Sequence, residues 1–201
     1  MTSSPLRVPR ADAATVKRLG ARWDPTQRQW YLPADRDPTP FGPWLAPPIP
    51  EDGPCIPADI VLLPTRCYRC GSPTAAVAGL LLDAAHVHGD ECTMLPDGDG
   101  WFLAYDAWSA DAIATACPDA LLARSSAGPL RWRTTRVCPD GYLANTCHHC
   151  GTVLGNWPLH ETLTEYQAEG GQLRDLPHVH TDMPGAALQW LADRELAEST
   201  P

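Results

Sequence analysis

Cys67-Tyr-Arg-Cys70-Gly71 and Cys147-His-His-Cys150-Gly151 are the two stretches that most constrain how this chain folds. Each stretch is called a knuckle. Its two cysteines, separated by two residues, can hold a metal ion from a tight turn, and the following glycine can adopt a left-handed backbone. Two knuckles supply the four thiolates of a closed tetrahedral site, whereas one pair alone would also fit a redox motif. The pattern therefore predicts one structural zinc ion (Zn²⁺) held by Cys67, Cys70, Cys147 and Cys150.

The two knuckles are far apart in the chain. Between Cys70 and Cys147 lie the 76 residues 71–146, whereas simple zinc ribbons have roughly 15–20 residues between their pairs. A large insertion, or a sheet that brings both knuckles together, must fill this interval. The alternative is that the cysteines are two unrelated pairs of buried thiols.

We expect an α+β fold from the pattern of predicted helices and strands, and the composition predicts that it is rich in loops and short strands. The 201 residues include 22 prolines and 15 glycines, which disfavour long helices. The N-terminus has no basic stretch followed by an apolar run, and no segment has about 18 consecutive apolar residues. We therefore expect a cytoplasmic protein without a membrane partner, in which the eight cysteines bind metal or are buried thiols.

The first 45 residues predict a small module of strand, helix and hairpin. Leu6–Pro9 is typical of a short strand, and residues 11–19 have helix-forming composition, with Ala14, Leu19 and either Ala11 or Val16 expected to face inward. Gly20 stands where a helix ends. Residues 21–23 and 29–32 predict two strands joined by a polar turn.

This module resembles a known small domain. The string Leu19-Gly-Ala-Arg-Trp-Asp24, preceded by Val8-Pro9 and followed by Trp30-Tyr-Leu-Pro33, is similar to a domain of unknown function that recurs in plasmid-borne DNA primases and other mobile-element proteins. The resemblance covers about a fifth of the chain. It implies association with DNA-processing proteins and no specific activity.

A second resemblance surrounds the knuckles. The stretch from Gly141 to Glu161 resembles a segment of uncharacterised bacterial zinc-ribbon proteins, in which an apolar strand and a His-Glu pair follow the knuckle; His148 replaces the usual proline. The resemblance extends over residues 60–165. It implies a zinc-ribbon fold and transfers no catalytic role.

Together these patterns predict the domain organisation. A module at residues 1–45 is followed by a proline-rich linker at 46–57 and then by a mostly β, zinc-ribbon-like domain at 58–201, with the insertion at 71–146. Strands are expected at 59–63, 75–82, 101–105 and 130–137. A weak helix at 111–122 should break at Pro118, and residues 185–197 should form a C-terminal amphipathic helix.

The net charge of −9 is unevenly distributed. Residues 1–45 carry seven basic and four acidic side chains, which leaves −12 on the remainder. A basic module can touch phosphates, and tryptophans can stack on bases, so the candidate nucleic-acid contacts are Arg22, Trp23, Arg28 and Trp30. The alternative is that the charges are merely solvated and that Trp23 and Trp30 form a cross-strand core pair.

Two histidine pairs offer a different hypothesis. His86 and His88 precede an acidic segment, and His178 and His180 precede Asp182, so the four histidines could form a second metal site if the segments met. Solvent-facing loop histidines are the competing interpretation. The remaining cysteines, Cys55, Cys92, Cys117 and Cys138, have no paired spacing and are interpreted as small buried side chains.

The sequence as a whole favours a non-enzymatic zinc protein that recognises a macromolecule, either nucleic acid or a DNA-processing complex. A protein-interaction adaptor is the first alternative, because the chain after residue 45 is acidic. A metal-dependent hydrolase that uses the histidines is the second.

Overall fold

The computed structural model describes residues 3–83, 93–95 and 100–198. Its fold is α+β. The strands are β1 (Ser4–Leu6), β2 (Arg22–Asp24), β3 (Gln29–Leu32), β4 (Cys55–Arg66), β5 (Pro73–Asp83), β6 (Thr93–Met94), β7 (Gly100–Ala104), β8 (Arg131–Arg133), β9 (Tyr142–Ala144) and β10 (His178–Pro184). The α-helices are α1 (Ala13–Leu19), α2 (Ala110–Ala116), α3 (Asp119–Leu122), α4 (Asn156–Ala168) and α5 (Gly185–Glu198).

The chain forms two compact units. The first comprises Met1–Pro48 and Arg131–Ala144, and the second comprises Ile49–Leu130 and Asn145–Pro201. The first contains ten of the 15 basic residues and five of the 24 acidic residues, so its net charge is +5 and that of the second is −14. They are named the basic unit and the acidic unit. The hairpin Arg131–Ala144, which the sequence-based boundaries placed in the zinc-ribbon-like domain, belongs to the basic unit.

In the basic unit, the described strands form an antiparallel sheet of order β1-β3-β2, and β8 pairs with β9. The predicted hairpin is present, and Gly20 ends α1 with φ of 107°. Val16 is the buried residue of α1, whereas Ala14 and Leu19 are exposed. The prediction that these two face inward was wrong, because a helix of only two turns presents little more than one position to a small core.

The acidic unit is built on an antiparallel sheet whose described strands have the order β10-β4-β5-β7-β6. The residues from Ile60 to Leu63 on β4 are all buried. Because neighbouring side chains of a strand point to opposite faces, both faces of the sheet are covered. Leu163 of α4 packs in the cluster that contains Val61, while α2 contacts both β10 and α5.

The sequence pattern located some elements and missed others. The predicted helix at 111–122 is broken beside Pro118 into α2 and α3, as expected, and the C-terminal helix is present as α5. Strand β10 and helix α4 were not predicted. The apolar strand expected after the second knuckle is present only as a single bridge between Thr146 and Val153. His160, which was expected to follow that strand, lies on helix α4.

Within the described ranges, every helix falls short of the length and apolar character that a membrane crossing requires.

Candidate functional site

The first knuckle is the tip of the β4–β5 hairpin. Strand β4 ends at Arg66 and β5 begins at Pro73, so the cysteine turn is the connection between them. The Cys67 amide donates to the Ser72 carbonyl at 3.0 Å, and the Gly71 amide donates to the Cys67 carbonyl at 2.8 Å. Gly71 has a φ of 70°, a left-handed conformation that glycine adopts without a steric cost.

The second knuckle repeats this geometry. The Cys147 amide donates to the Thr152 carbonyl at 2.8 Å, and the Gly151 amide donates to the Cys147 carbonyl at 3.0 Å. Gly151 has a φ of 63°. The two knuckles are therefore the same turn, formed twice from segments on either side of the long interval.

The first part of β5, residues 73–78, is not paired with β7 and brings the second knuckle to the first. The buried side chain of Asn145 accepts a hydrogen bond from the Val77 amide at 2.8 Å and donates one to the Val77 carbonyl at 3.0 Å. Nearby, the His148 amide donates to the Thr74 hydroxyl at 3.1 Å. Ala127 forms bridges to both Ala75 and Cys147. These contacts place Cys147 beside a strand that starts at the first knuckle.

The four cysteine sulfurs form one cluster. All four Sγ atoms lie within 4.8 Å of one another, with 3.6 Å between Cys67 and Cys150 and 3.8 Å between Cys70 and Cys147. In a tetrahedral site with Zn–S bonds of about 2.3 Å, the sulfurs are about 3.8 Å apart. The donor set and its spacing therefore fit one metal ion held by four thiolates.

The environment of the sulfurs differs between the inner and outer cysteines. Cys67 and Cys147 are each 1% exposed, and burial raises the pKa of the Cys147 thiol to about 11. Hydrogen bonds from the hydroxyl and the amide of Thr152 lower the pKa of Cys150 to about 6. The equivalent bonds from Ser72 lower the pKa of Cys70. A hydroxyl residue directly after each knuckle glycine thus favours the outer thiolate.

Ser72 and Thr152 were missed as members of the site. Their signal was present in the sequence, because Cys-x-x-Cys-Gly is followed by Ser in one knuckle and by Thr in the other.

The candidate contact residues lie on the β2–β3 hairpin of the basic unit. Trp23 and Trp30 are directly opposite each other, with ring centroids 5.6 Å apart in an edge-to-face arrangement. The predicted cross-strand pair is therefore present, but Trp23 is 48% exposed and does not belong to the core. Arg22 and Arg28 are also exposed. The hairpin presents aromatic and cationic groups together at a surface.

A groove of about 260 Å³ lies beside this hairpin. Its lining includes Trp23, Arg28 and Trp30, and also Trp132 and Arg133 from the β8–β9 hairpin. The last two residues were missed as site residues, because nothing in the local sequence shows that a segment more than 100 positions away joins the N-terminal module.

The histidine hypothesis gains no support from the residues that the structure describes. His86 and His88 lie outside them, and His178 and His180 lie on strand β10. His180 is exposed and has Nδ1 3.3 Å from a carboxylate oxygen of Asp59. Over the described part of the chain, the four knuckle cysteines are the group of three or more histidine, cysteine or carboxylate side chains close enough to share an ion.

The remaining cysteines do not share one environment. Cys117 is buried, and burial raises the pKa of its thiol to about 12. Cys55 is exposed and Cys138 is half-buried, so the interpretation as buried side chains holds for Cys117 alone among the three described. Cys92 lies outside the described residues.

Comparison with known proteins supports the resemblance of the N-terminal module. Residues 5–46 match the domain of unknown function DUF5710. Over 39 residues the chain is 54% identical to the DNA primase TraC of Escherichia coli, a match that covers 19% of this chain and 4% of the primase. The likeness thus concerns one small segment of a much longer protein. No solved structure matches the chain.

Proposed function

We propose that the protein is a non-enzymatic zinc protein in which the metal stabilises the acidic unit and the basic unit binds nucleic acid. The clustering of four cysteine sulfurs with near-tetrahedral spacing supports the metal site. The primase-like segment and the charge of +5 on the basic unit support the second part. Zinc is proposed from the chemistry of the donors, because four thiolates favour this metal.

A structural role follows from the form of the site. Four thiolates fill a tetrahedral shell and leave no position for water or substrate. The site also joins the tip of the β4–β5 hairpin to a segment that starts at Asn145, so the ion would cross-link distant parts of the acidic unit. The two knuckles, one at the tip of the β4–β5 hairpin and one beside it, are the part of the fold for which we propose a zinc-ribbon layout. Cys67, Cys70, Cys147 and Cys150 are the proposed ligands.

The proposed nucleic-acid contacts are Arg22, Trp23, Arg28 and Trp30. Exposed arginines can neutralise phosphates, and each neutralised phosphate makes binding salt-dependent. Exposed tryptophans can stack on bases. The match to a segment of a DNA primase makes a DNA-processing complex the setting in which such a surface would be used.

Fluorescence anisotropy with labelled oligonucleotides tests this part. The intact chain should bind single-stranded DNA, duplex DNA or both, and its affinity should fall steeply between about 50 and 200 mM salt. Arg22→Gln and Arg28→Gln should each weaken binding and reduce the salt slope by about 1. Arg124→Gln in the acidic unit is the matched control and should leave affinity unchanged. Failure to bind every oligonucleotide at low salt would refute nucleic-acid recognition.

The charge of the acidic unit favours one alternative. Its net charge of −14 repels nucleic acid and could instead attract a basic protein partner. In that case the protein would be an interaction adaptor. Oligonucleotides would then fail to bind, and capture of a basic protein would depend on the acidic unit and on salt.

A further inference from the structure

The β8–β9 hairpin is held against the β2–β3 turn of the basic unit. Nε of Arg131 donates to the Gln27 side chain at 3.2 Å, and Nη2 of Arg133 donates to the Gln27 carbonyl at 2.8 Å. The Arg10 amide donates to the Pro139 carbonyl at 2.9 Å. These bonds fix a segment from the interval between the knuckles beside the segment that resembles the primase.

Trp132 is held in place on this hairpin. The guanidinium of Arg7 lies 5.2 Å from the centre of its ring. A methyl group on Gly141 would come within 2.6 Å of the indole nitrogen, so the glycine allows the ring to pack against the backbone. The indole is therefore positioned before any ligand arrives, which lowers the entropy cost of binding.

The groove between these hairpins combines aromatic and cationic groups. Among the described residues, its lining contains three tryptophans and three arginines and no carboxylate: Trp23, Trp30, Trp132, Arg10, Arg28 and Arg133. Aromatic rings beside cations without a competing carboxylate are the chemistry of proteins that bind single-stranded nucleic acid.

The arginines in this region repel one another. Burial, together with the positive charges of Arg131 and Arg28, lowers the pKa of Arg133 to about 10. A phosphate placed between Arg28 and Arg133 would offset this repulsion and form charge-assisted hydrogen bonds. The groove is therefore suited to an anion that also carries a flat ring.

We propose that the groove binds single-stranded nucleic acid, with bases against Trp23, Trp30 and Trp132 and phosphates at Arg28 and Arg133. The proposal rests on the nucleic-acid function proposed above and adds to it the strand form and the contribution of the β8–β9 hairpin. A single strand can present the faces of its bases, whereas a duplex keeps those faces stacked inside the helix. A concave site of about 260 Å³ can receive an unstacked base but not a duplex.

Anisotropy with fluorescein-labelled oligothymidylate of about 12 nucleotides, and with a duplex of equal length, tests the proposal. The intact chain should bind the single strand at least about tenfold more tightly than the duplex. Trp132→Ala should weaken single-strand binding by about tenfold or more. Trp157→Ala is the matched control, because Trp157 is 73% exposed on α4 of the acidic unit, and it should bind as the unaltered chain does.

The outcomes separate this proposal from the broader one. Equal affinity for single strand and duplex, or full binding by a folded Trp132→Ala variant, would overturn the groove proposal and leave nucleic-acid recognition intact. The absence of binding to both oligonucleotides would refute the two together.

If Trp132→Ala does not fold, photo-crosslinking of the unaltered chain tests whether Trp132 contacts the single strand. Oligothymidylate that carries 5-iodouracil should crosslink to the peptide that contains Trp132, which mass spectrometry of the digest would identify. Crosslinks confined to other peptides would overturn the role of the hairpin.

Discussion

Asn145 should be essential to the acidic unit although it is not one of the proposed metal ligands. It is 1% exposed and satisfies both backbone groups of Val77, itself 1% exposed, with hydrogen bonds of 2.8 and 3.0 Å. Asn145→Ala removes both partners. Each buried backbone group left without a partner costs about 1–3 kcal/mol, so the pair should cost about 2–6 kcal/mol, and the middle of that range, about 3–4 kcal/mol, is the expected loss.

Thermal unfolding followed by circular dichroism measures this loss. For a chain of this size, about 1 kcal/mol corresponds to a change in Tm of roughly 2–4 °C, so Asn145→Ala should lower Tm by roughly 6–16 °C. The variant should also release the proposed metal ion more readily to a chelator, because Asn145 anchors the segment that leads to Cys147.

Asn156→Ala is the matched control. The Asn156 side-chain oxygen is buried and has no hydrogen-bond partner among the described residues. Its removal should leave Tm unchanged or slightly higher. If Asn145→Ala and Asn156→Ala shifted Tm equally, the argument that Asn145 holds the second knuckle to β5 would be refuted.

Three further outcomes are expected. In chemical denaturation, Gly151→Ala should lose about 1–2 kcal/mol of stability, because its backbone is left-handed and an added methyl group meets no atom within 4 Å. Gly42→Ala is the control and should show no such loss, because Gly42 is equally unobstructed and has no positive φ. Arg28→Gly should weaken oligonucleotide binding and leave stability unchanged or raise it by up to about 1 kcal/mol, because Arg28 has a φ of 52°, which glycine adopts more easily than arginine. Lower stability would indicate a structural role for the arginine. Iodoacetamide at pH 8 should modify exposed Cys55 much faster than Cys117, because Cys117 is buried and its pKa of about 12 keeps it a protonated thiol. Peptide mass spectrometry measures the two rates, and equal rates would contradict the structure.

Local patterns predicted the parts of the molecule that local chemistry determines. Each knuckle is a turn of six residues, closed by hydrogen bonds between neighbours and by a glycine, so its form can be read from Cys-x-x-Cys-Gly alone. The hairpin that ends in Gln29–Leu32 was predicted for the same reason, since a polar turn separates two short segments that each contain tryptophan. The four-cysteine cluster followed from the repetition of one local motif.

Elements with weak or distant signals were missed. The sequence of helix α4 lacks a clear apolar stripe, and Leu163 is the one residue of this helix that is buried. Strand β10 lies at the edge of its sheet, and its alternate exposed residues, His178, His180 and Asp182, were interpreted as metal ligands or loop residues and not as one face of a strand. The β8–β9 hairpin joins the basic unit through contacts with Gln27 that span more than 100 positions, and local sequence carries no information about such partners.

The metal content of the purified, untagged chain decides whether the four knuckle cysteines hold a zinc ion. Inductively coupled plasma mass spectrometry measures it, together with mapped thiol alkylation before and after chelation. We expect one zinc ion per chain, with Cys67, Cys70, Cys147 and Cys150 protected until a chelator removes it. A chain without metal in which those four thiols react freely would show that the cluster is not a metal site.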